Sequence, residues 1–160
     1  YYHRMLSEIH QALANLDKEL PEASAGGYHL AGFVWFQGWN DMFNKQALAE
    51  YEQNLVHLVN DVRRDLREPE LPVVIGELGN GGLKAGKNML AIRAAQKAAA
   101  SSTATSGQTL FISTTAFARP AKESPNVGHG HHWFGNAESY FLIGDALGRG
   151  MLKLISPDAP

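Results

Sequence analysis

The chain of 160 residues contains no cysteine, which excludes disulfide staples, thiolate metal sites and a cysteine nucleophile. The absence does not fix a compartment, since many exported proteins also lack disulfides. No run of about 18 apolar residues occurs, so no membrane-spanning helix is expected. Neither sign of charge dominates: 14 Lys and Arg against 16 Asp and Glu give a net charge of −2 and no basic face for nucleic acid. The opening residues, Tyr1-Tyr2-His3-Arg4, run straight into a helical pattern and carry no signal-peptide signature. With 44% hydrophobic residues, the chain has the composition of a soluble globular protein, and its length allows one core and one domain over 1–160.

The most structured stretch is Phe33-Val34-Trp35-Phe36-Gln37-Gly38-Trp39-Asn40-Asp41. Four apolar residues meet a Gln-Gly turn and then a polar Trp-Asn-Asp, which reads as a buried strand, Leu30 to Phe36, ending in a loop. Before it, Met5, Ile9, Ala12, Leu13, Leu16 and Leu20 predict an amphipathic helix stopped by Pro21, and Glu22 to Tyr28 predicts a surface loop. After it, Asn44 is placed to cap a helix whose stripe is Leu48, Tyr51, Leu55, Leu58, Val62 and Leu66, with Arg63, Arg64 and Arg67 on a solvated face. Val73-Val74-Ile75 predicts a second buried strand, Asn80-Gly81-Gly82 a flexible turn, and Asn88 to Ala100 an alanine-rich helix. Ser101 to Gly107 reads as a loop and Thr109 to Ser113 as a third strand. The last helix, about Asn136 to Leu154, is expected to bury Ala137, Tyr140, Phe141, Gly144, Leu147, Met151 and Leu154. Helices alternating with strands imply an α/β chain with a parallel sheet in a three-layer α/β/α sandwich.

Three constellations carry possible chemistry. Gln37, Gly38, Asn40 and Asp41 combine side-chain amides with a glycine N–H, which are suitable donors for a developing oxyanion; otherwise Asn40-Asp41 is an Asx turn. His129, His131 and His132 form an imidazole-rich loop beside Trp133 and Phe134. Such a loop supplies a general base, a surface turn or, with poorer geometry for adjacent ligands, a metal site. The third, Gly76-Glu77-Leu78-Gly79-Asn80-Gly81-Gly82, lacks both the P-loop lysine and the dinucleotide glycine spacing. Glu77 there either lines a crevice or accepts from loop amides, and Trp39 and Trp133 are the loop aromatics available to a sugar ring.

Gly38-x-Asn40-Asp41 resembles the GxND block of SGNH hydrolases, and the longer string resembles the WxQG-type block of the sialate O-acetylesterase and acetylxylan esterase branch, carbohydrate esterase family six. The segment Gly130-His131-His132-Trp133-Phe134-Gly135-Asn136-Ala137-Glu138-Ser139-Tyr140 is similar to the family's terminal block, which supplies the base; His132 is the first candidate and His131 the second. The family usually places an Asp three residues before the base. Here His129, Gly128 and Asn126 hold that spacing, which leaves Asp41, Glu77 or Glu123 as candidate acids. The family's nucleophile lies in an early Gly-Asp-Ser or Gly-Gln-Ser block, and none of the nine serines sits in such a corner. The resemblance therefore implies the C-terminal part of a single SGNH-type esterase domain, its flavodoxin-like parallel sheet incomplete at the N-terminus.

The implied activity is hydrolysis of acetyl esters on sugars, without a cofactor or metal. Gln37 or Asn40 with Gly38 would serve the oxyanion, and Glu77, Trp39 and Trp133 would stand along the crevice. The implied partners are an acetylated carbohydrate and a missing N-terminal segment of the same protein, with no nucleic acid and no membrane span. Family members are often exported, which favours an extracellular or periplasmic address by resemblance alone. The alternative is a non-catalytic glycan-binding or interaction domain derived from the same fold.

Overall fold

A computed structural model describes all residues other than Ala25, Ser106 and 157–160. In chain order, its elements are helices α1 (Tyr2–Ala14), α2 (Leu16–Glu19) and α3 (Pro21–Ser24), strand β1 (Phe33–Trp35), helix α4 (Lys45–Asp65), strand β2 (Val73–Gly76), helix α5 (Lys87–Ser101), strand β3 (Thr109–Ile112) and helix α6 (Ala137–Ile155). Short 3-10 turns punctuate the loops, among them Asp41–Phe43 and Gly82–Lys84, while Gly130–Gly135 is an irregular turn kinked over His132 to Phe134.

The three strands are parallel in the order β1-β2-β3, with Phe33 opposite Val73, Trp35 opposite Ile75 and Ile75 opposite Phe111. Val73, Val74 and Ile75 are all fully buried because β2 has a strand on each side and helices on each face. Val73 and Ile75 point to one core with Tyr51, Leu55 and Val59 of α4 and Ile92 and Ala99 of α5. Val74 points the other way, to Ile143 and Leu147 of α6, Trp133 and Phe36. Each such side chain contributes about 1.5–3 kcal/mol by leaving water. Gly76 ends β2 where a Cβ would lie 2.7 Å from the Phe36 ring, so the strand and the Phe36 loop can touch only through glycine.

Several expectations are corrected. The first helix breaks at Asn15 and buries no residue, and Pro21 opens a helical turn instead of closing one, a position its fixed φ favours. β1 is shorter than expected, and Val34 is 46% exposed because this strand has one neighbour and no helix over that side chain. Arg63 is buried, not solvated: its guanidinium donates to the carbonyls of Leu71, Thr105 and Gln108, so it holds the α4–β2 connection to the loop before β3. α6 buries Ser139, Ile143, Leu147 and Gly150, leaving Phe141 74% exposed. The face that meets the sheet runs through Ser139, Ile143, Leu147 and Gly150, and a Cβ at Gly150 would meet Ile112 at 2.7 Å, so the helix approaches β3 closely there. Asn44 caps α4 as expected, accepting from Gln46 and Ala47, and Asn136, expected as the start of the last helix, caps α6 by accepting from Ser139. The loop expected over Ser101 to Gly107 includes Ser106, which lies outside the described residues.

No helix among the described residues is long and apolar enough to cross a membrane. All three strands end on the same side of the sheet, and the loops leaving β1 and β2 gather there. This carboxyl edge is where open α/β sheets place their ligands.

Candidate active site

Leaving β1, the chain turns at Gly38, which is buried with φ +147. A Cβ there would lie 2.9 Å from Ile92 Cγ2 and 3.1 Å from the Tyr51 hydroxyl, so only glycine fits both the dihedral and the space. The preceding carbonyl, Gln37 O, accepts from the Tyr51 hydroxyl at 2.6 Å and from Gln96 Nε2 at 3.0 Å. Tyr51 in turn accepts from Trp35 Nε1 at 3.2 Å, and burial pushes its hydroxyl above the ordinary tyrosine range. The corner is thus clamped from α4 and α5. Among the described residues the Gly38 N–H has no acceptor, which leaves one backbone donor of the turn unspent.

The two amides of this loop differ. Gln37 Nε2 donates to Asp41 Oδ2 at 2.6 Å, so both side chains are engaged with each other. Asn40 is exposed, helical in backbone (φ −72, ψ −31), and forms no side-chain hydrogen bond to the chain turn that follows it. The Asx-turn reading therefore does not describe Asn40; the helix cap is Asn44.

The imidazole loop faces this corner. The ring of Trp39, half-buried, lies 5.8 Å from His131, which sits 4.1 Å from His132 and 5.4 Å from His129 between ring centroids. His131 is held below the ordinary histidine range, first by desolvation and then by the neighbouring His132 and His129, so that it is a neutral imidazole near pH 7. Tyr140 of α6 donates to the His132 carbonyl at 2.9 Å and fixes the loop to the last helix. Trp133 and Phe134 adopt left-handed dihedrals (φ 50 and 54) ahead of Gly135 (φ 66), a costly run for side chains of that size. What holds it is Trp133 itself, 5% exposed and stacked on Phe36 at 6.2 Å. Trp133 therefore belongs to the core, a correction to its expected place along an open crevice.

None of the three imidazoles has a carboxylate or serine hydroxyl within hydrogen-bond reach among the described residues. The three carboxylates considered as acids are occupied elsewhere: Asp41 by Gln37, Glu123 near Lys122 at 3.8 Å, and Glu77 by the loop after β3. Glu77 accepts from Ser113 Oγ and from the N–H groups of Thr114 and Thr115. Burial alone would raise its pKa, but these hydrogen bonds outweigh it and leave the carboxyl below its ordinary value. Among the described residues no group of three or more His, Asp and Glu side chains is disposed to hold a metal ion.

Sequence reasoning missed the residues that hold these loops. Gln96, fully buried on α5, donates to Gln37 O and accepts from Leu78 N at 2.9 Å, so one amide joins the loops after β1 and β2. Arg93, one turn earlier, donates to the carbonyls of Leu78, Asn80 and Gly82, so the expected flexible turn is pinned. Asn80 donates to Gly130 O at 3.0 Å and ties that turn to the imidazole loop. The available sign was position: Gln96 and Arg93 fall on the same face of the alanine-rich helix as Met89, Ile92 and Ala100.

Comparison with known proteins agrees on the kind of chain this is. A probable carbohydrate esterase of Arabidopsis thaliana is 28% identical over 65 residues, which covers 41% of this chain and 25% of that relative. No solved structure matches the chain. The family described as carbohydrate esterase, sialic acid-specific acetylesterase matches residues 1–141. Since that match takes in both the Gln37–Asp41 corner and the imidazole loop, the chain belongs to the sialic acid-specific acetylesterase family of carbohydrate esterases.

Proposed function

We propose that this chain is the C-terminal part of an SGNH-type carbohydrate O-acetylesterase domain, carrying the oxyanion loop and the general base while the nucleophilic serine comes from a segment upstream. The observation that carries this reading is the meeting of Trp39 and His131, which brings the Gly38–Asp41 loop and the imidazole loop to one edge of the sheet. On this reading the full domain is a three-layer sandwich, and the upstream segment adds a strand beside the open edge of β1, covering Val34.

In the complete enzyme, His132 takes the serine proton as the hydroxyl oxygen attacks the acetyl carbonyl. The tetrahedral oxyanion is met by the Gly38 N–H and the unengaged amide of Asn40. Gln37, already bound to Asp41, braces the loop. His132 then protonates the departing sugar oxygen, and water attacks the acetyl-serine to release acetate. His131, held neutral between Trp39 and His132, keeps a second positive charge away from the base.

The missing serine also supports the rival reading of a glycan-binding domain derived from this fold, because no serine hydroxyl of the described residues reaches an imidazole. Hydrolysis of an activated acetate ester by an upstream-extended chain separates the two. Activity lost on His132→Ala supports the esterase, and an inactive extended chain that binds oligosaccharide supports the rival.

A further inference from the structure

Helix α6 is apolar on two opposite sides. Its inner face, through Ser139, Ile143, Leu147 and Gly150, meets the sheet, whereas Phe141, Leu152 and Ile155 on the outer face are 74%, 56% and 42% exposed. At about 3.6 residues per turn, these three fall on one line with Gly144 and Gly148. A helix with apolar residues on both sides is ordinarily covered on both. The two glycines sharpen the point. A Cβ at either would meet nothing within 4 Å, and neither has a positive φ, so the single chain gains nothing from them. Gly150 in the same helix differs, because Ile112 occupies the space its Cβ would take. Glycine inside a helix lowers stability relative to alanine, and what offsets that loss is the close approach of another backbone.

The order of residues along this face says what fits it. Phe141 and Ile155 stand seven residues on either side of Gly148, and Gly144 and Leu152 stand four. The pattern is therefore self-complementary. A second α6 laid antiparallel across the first, with both Gly148 residues on a two-fold axis, sets each Leu152 into the notch at the partner's Gly144 and each Phe141 against the partner's Ile155. Asp145 and Arg149, paired at 2.8 Å within one chain, run along one rim of the line. At a rise of about 1.5 Å per residue, the antiparallel copy places each Arg149 between its own Asp145 and the partner's Asp145. The charges of the two copies thus complement each other.

We infer that the outer face of α6 is the interface of a two-fold dimer, in which a second copy of this chain lies antiparallel across it at Gly148. The apolar line from Phe141 to Ile155 is about 21 Å long, which puts the contact at the small end of specific interfaces. Association is accordingly weak, with a Kd on the order of 10–100 µM. The inference does not rest on the esterase reading, and ester hydrolysis by an extended chain does not bear on it.

The test is sedimentation velocity of the chain, and of the chain extended upstream, from about 5 to 500 µM, a span that brackets a weak dimer. Both forms should pass from one copy to two. Gly148→Glu sets two like charges on the axis and should raise Kd roughly tenfold or more. It should not lower the urea midpoint of the dilute monomer, because its Cβ has open space and glutamate is the better helix former. Since the chain has no cysteine, Gly148→Cys supplies one thiol per copy. Two such thiols on the axis lie within disulfide reach, whereas those of Phe141→Cys stand about 21 Å apart. Mild oxidation should therefore yield a covalent dimer from the first variant and not from the second. A chain monomeric throughout, a dimer that Gly148→Glu leaves intact, or crosslinking through Phe141→Cys would overturn the proposal. So would a dimer formed by the short chain alone, which would make the upstream segment the occupant of this face.

Discussion

Gln96→Leu removes the one amide that joins the loops after β1 and β2. The side chain is fully buried; Oε1 accepts from Leu78 N at 2.9 Å and Nε2 donates to Gln37 O at 3.0 Å. Gln37 O keeps its 2.6 Å bond from Tyr51, so little is lost there. Leu78, 6% exposed, is left with a buried N–H and no acceptor, which costs about 1–3 kcal/mol, while the leucine recovers part of this by apolar burial. The expected net loss is about 2 kcal/mol in urea unfolding followed by circular dichroism.

Gln96→Glu sharpens the test. It keeps an acceptor for Leu78 N but places a carboxylate against the Gln37 carbonyl, while the neighbouring Arg93 guanidinium is already engaged by the carbonyls of Leu78, Asn80 and Gly82. Its folded-state pKa is raised, so the variant is most stable below about pH 4.3, where both states are protonated. It loses stability as pH rises above that value, until the buried carboxyl itself ionises. At pH 7 Gln96→Glu should therefore be the less stable of the two variants, and at pH 4 the more stable. A Gln96→Leu variant within 0.5 kcal/mol of the parent, or a Gln96→Glu variant with a flat pH dependence, would refute the clamp.

Gly38→Ala should cost about 2 kcal/mol or more, since the new methyl meets Ile92 and Tyr51 at φ +147; equilibrium unfolding of the purified variant measures it. The lowered pKa of Glu77 means its stabilisation is present above the unfolded carboxyl pKa near 4.3 and is lost as pH falls through the folded value. Glu77→Gln should therefore unfold at lower urea concentration at pH 7 and show a shallower acid limb, and parallel limbs would contradict the assignment. Trp133→Ala empties the stack on Phe36 and relaxes the left-handed run, with an expected cost of about 3–5 kcal/mol on thermal or urea unfolding.

The alternating order of helices and strands was legible because each strand is an apolar run bounded by glycine or proline, and each long helix opens on an asparagine or carries a stripe. Asn44 could be read as a cap from identity and position alone. The faces were harder. Tyr140 and Phe141 look like core by composition, yet they lie off the face through Ser139, Ile143, Leu147 and Gly150 that packs on the sheet, with Gly150 close against Ile112, a contact between elements that no local period contains. Arg63 read as a solvated residue, and Arg93 and Gln96 drew no reading at all, because what buries them is a set of loop carbonyls and amides from distant residues. The two halves of the candidate site were visible as Gln37–Asp41 and His129–His132, but their meeting at Trp39 and His131 follows from the parallel sheet placing both loops at one edge. Trp133 shows the reverse failure: a loop aromatic taken for a sugar platform is the buried post of its own turn.

The most direct measurement is hydrolysis of a small activated acetate ester by this chain and by the chain extended upstream, each with His132→Ala and Asn40→Ala. The account predicts that the present chain is inactive and the extended form active. His132→Ala should abolish that activity, and Asn40→Ala should lower kcat by about 10²–10³, the usual consequence of removing one oxyanion donor. An extended form that turns over with His132 replaced, or that never turns over while folded, would contradict it.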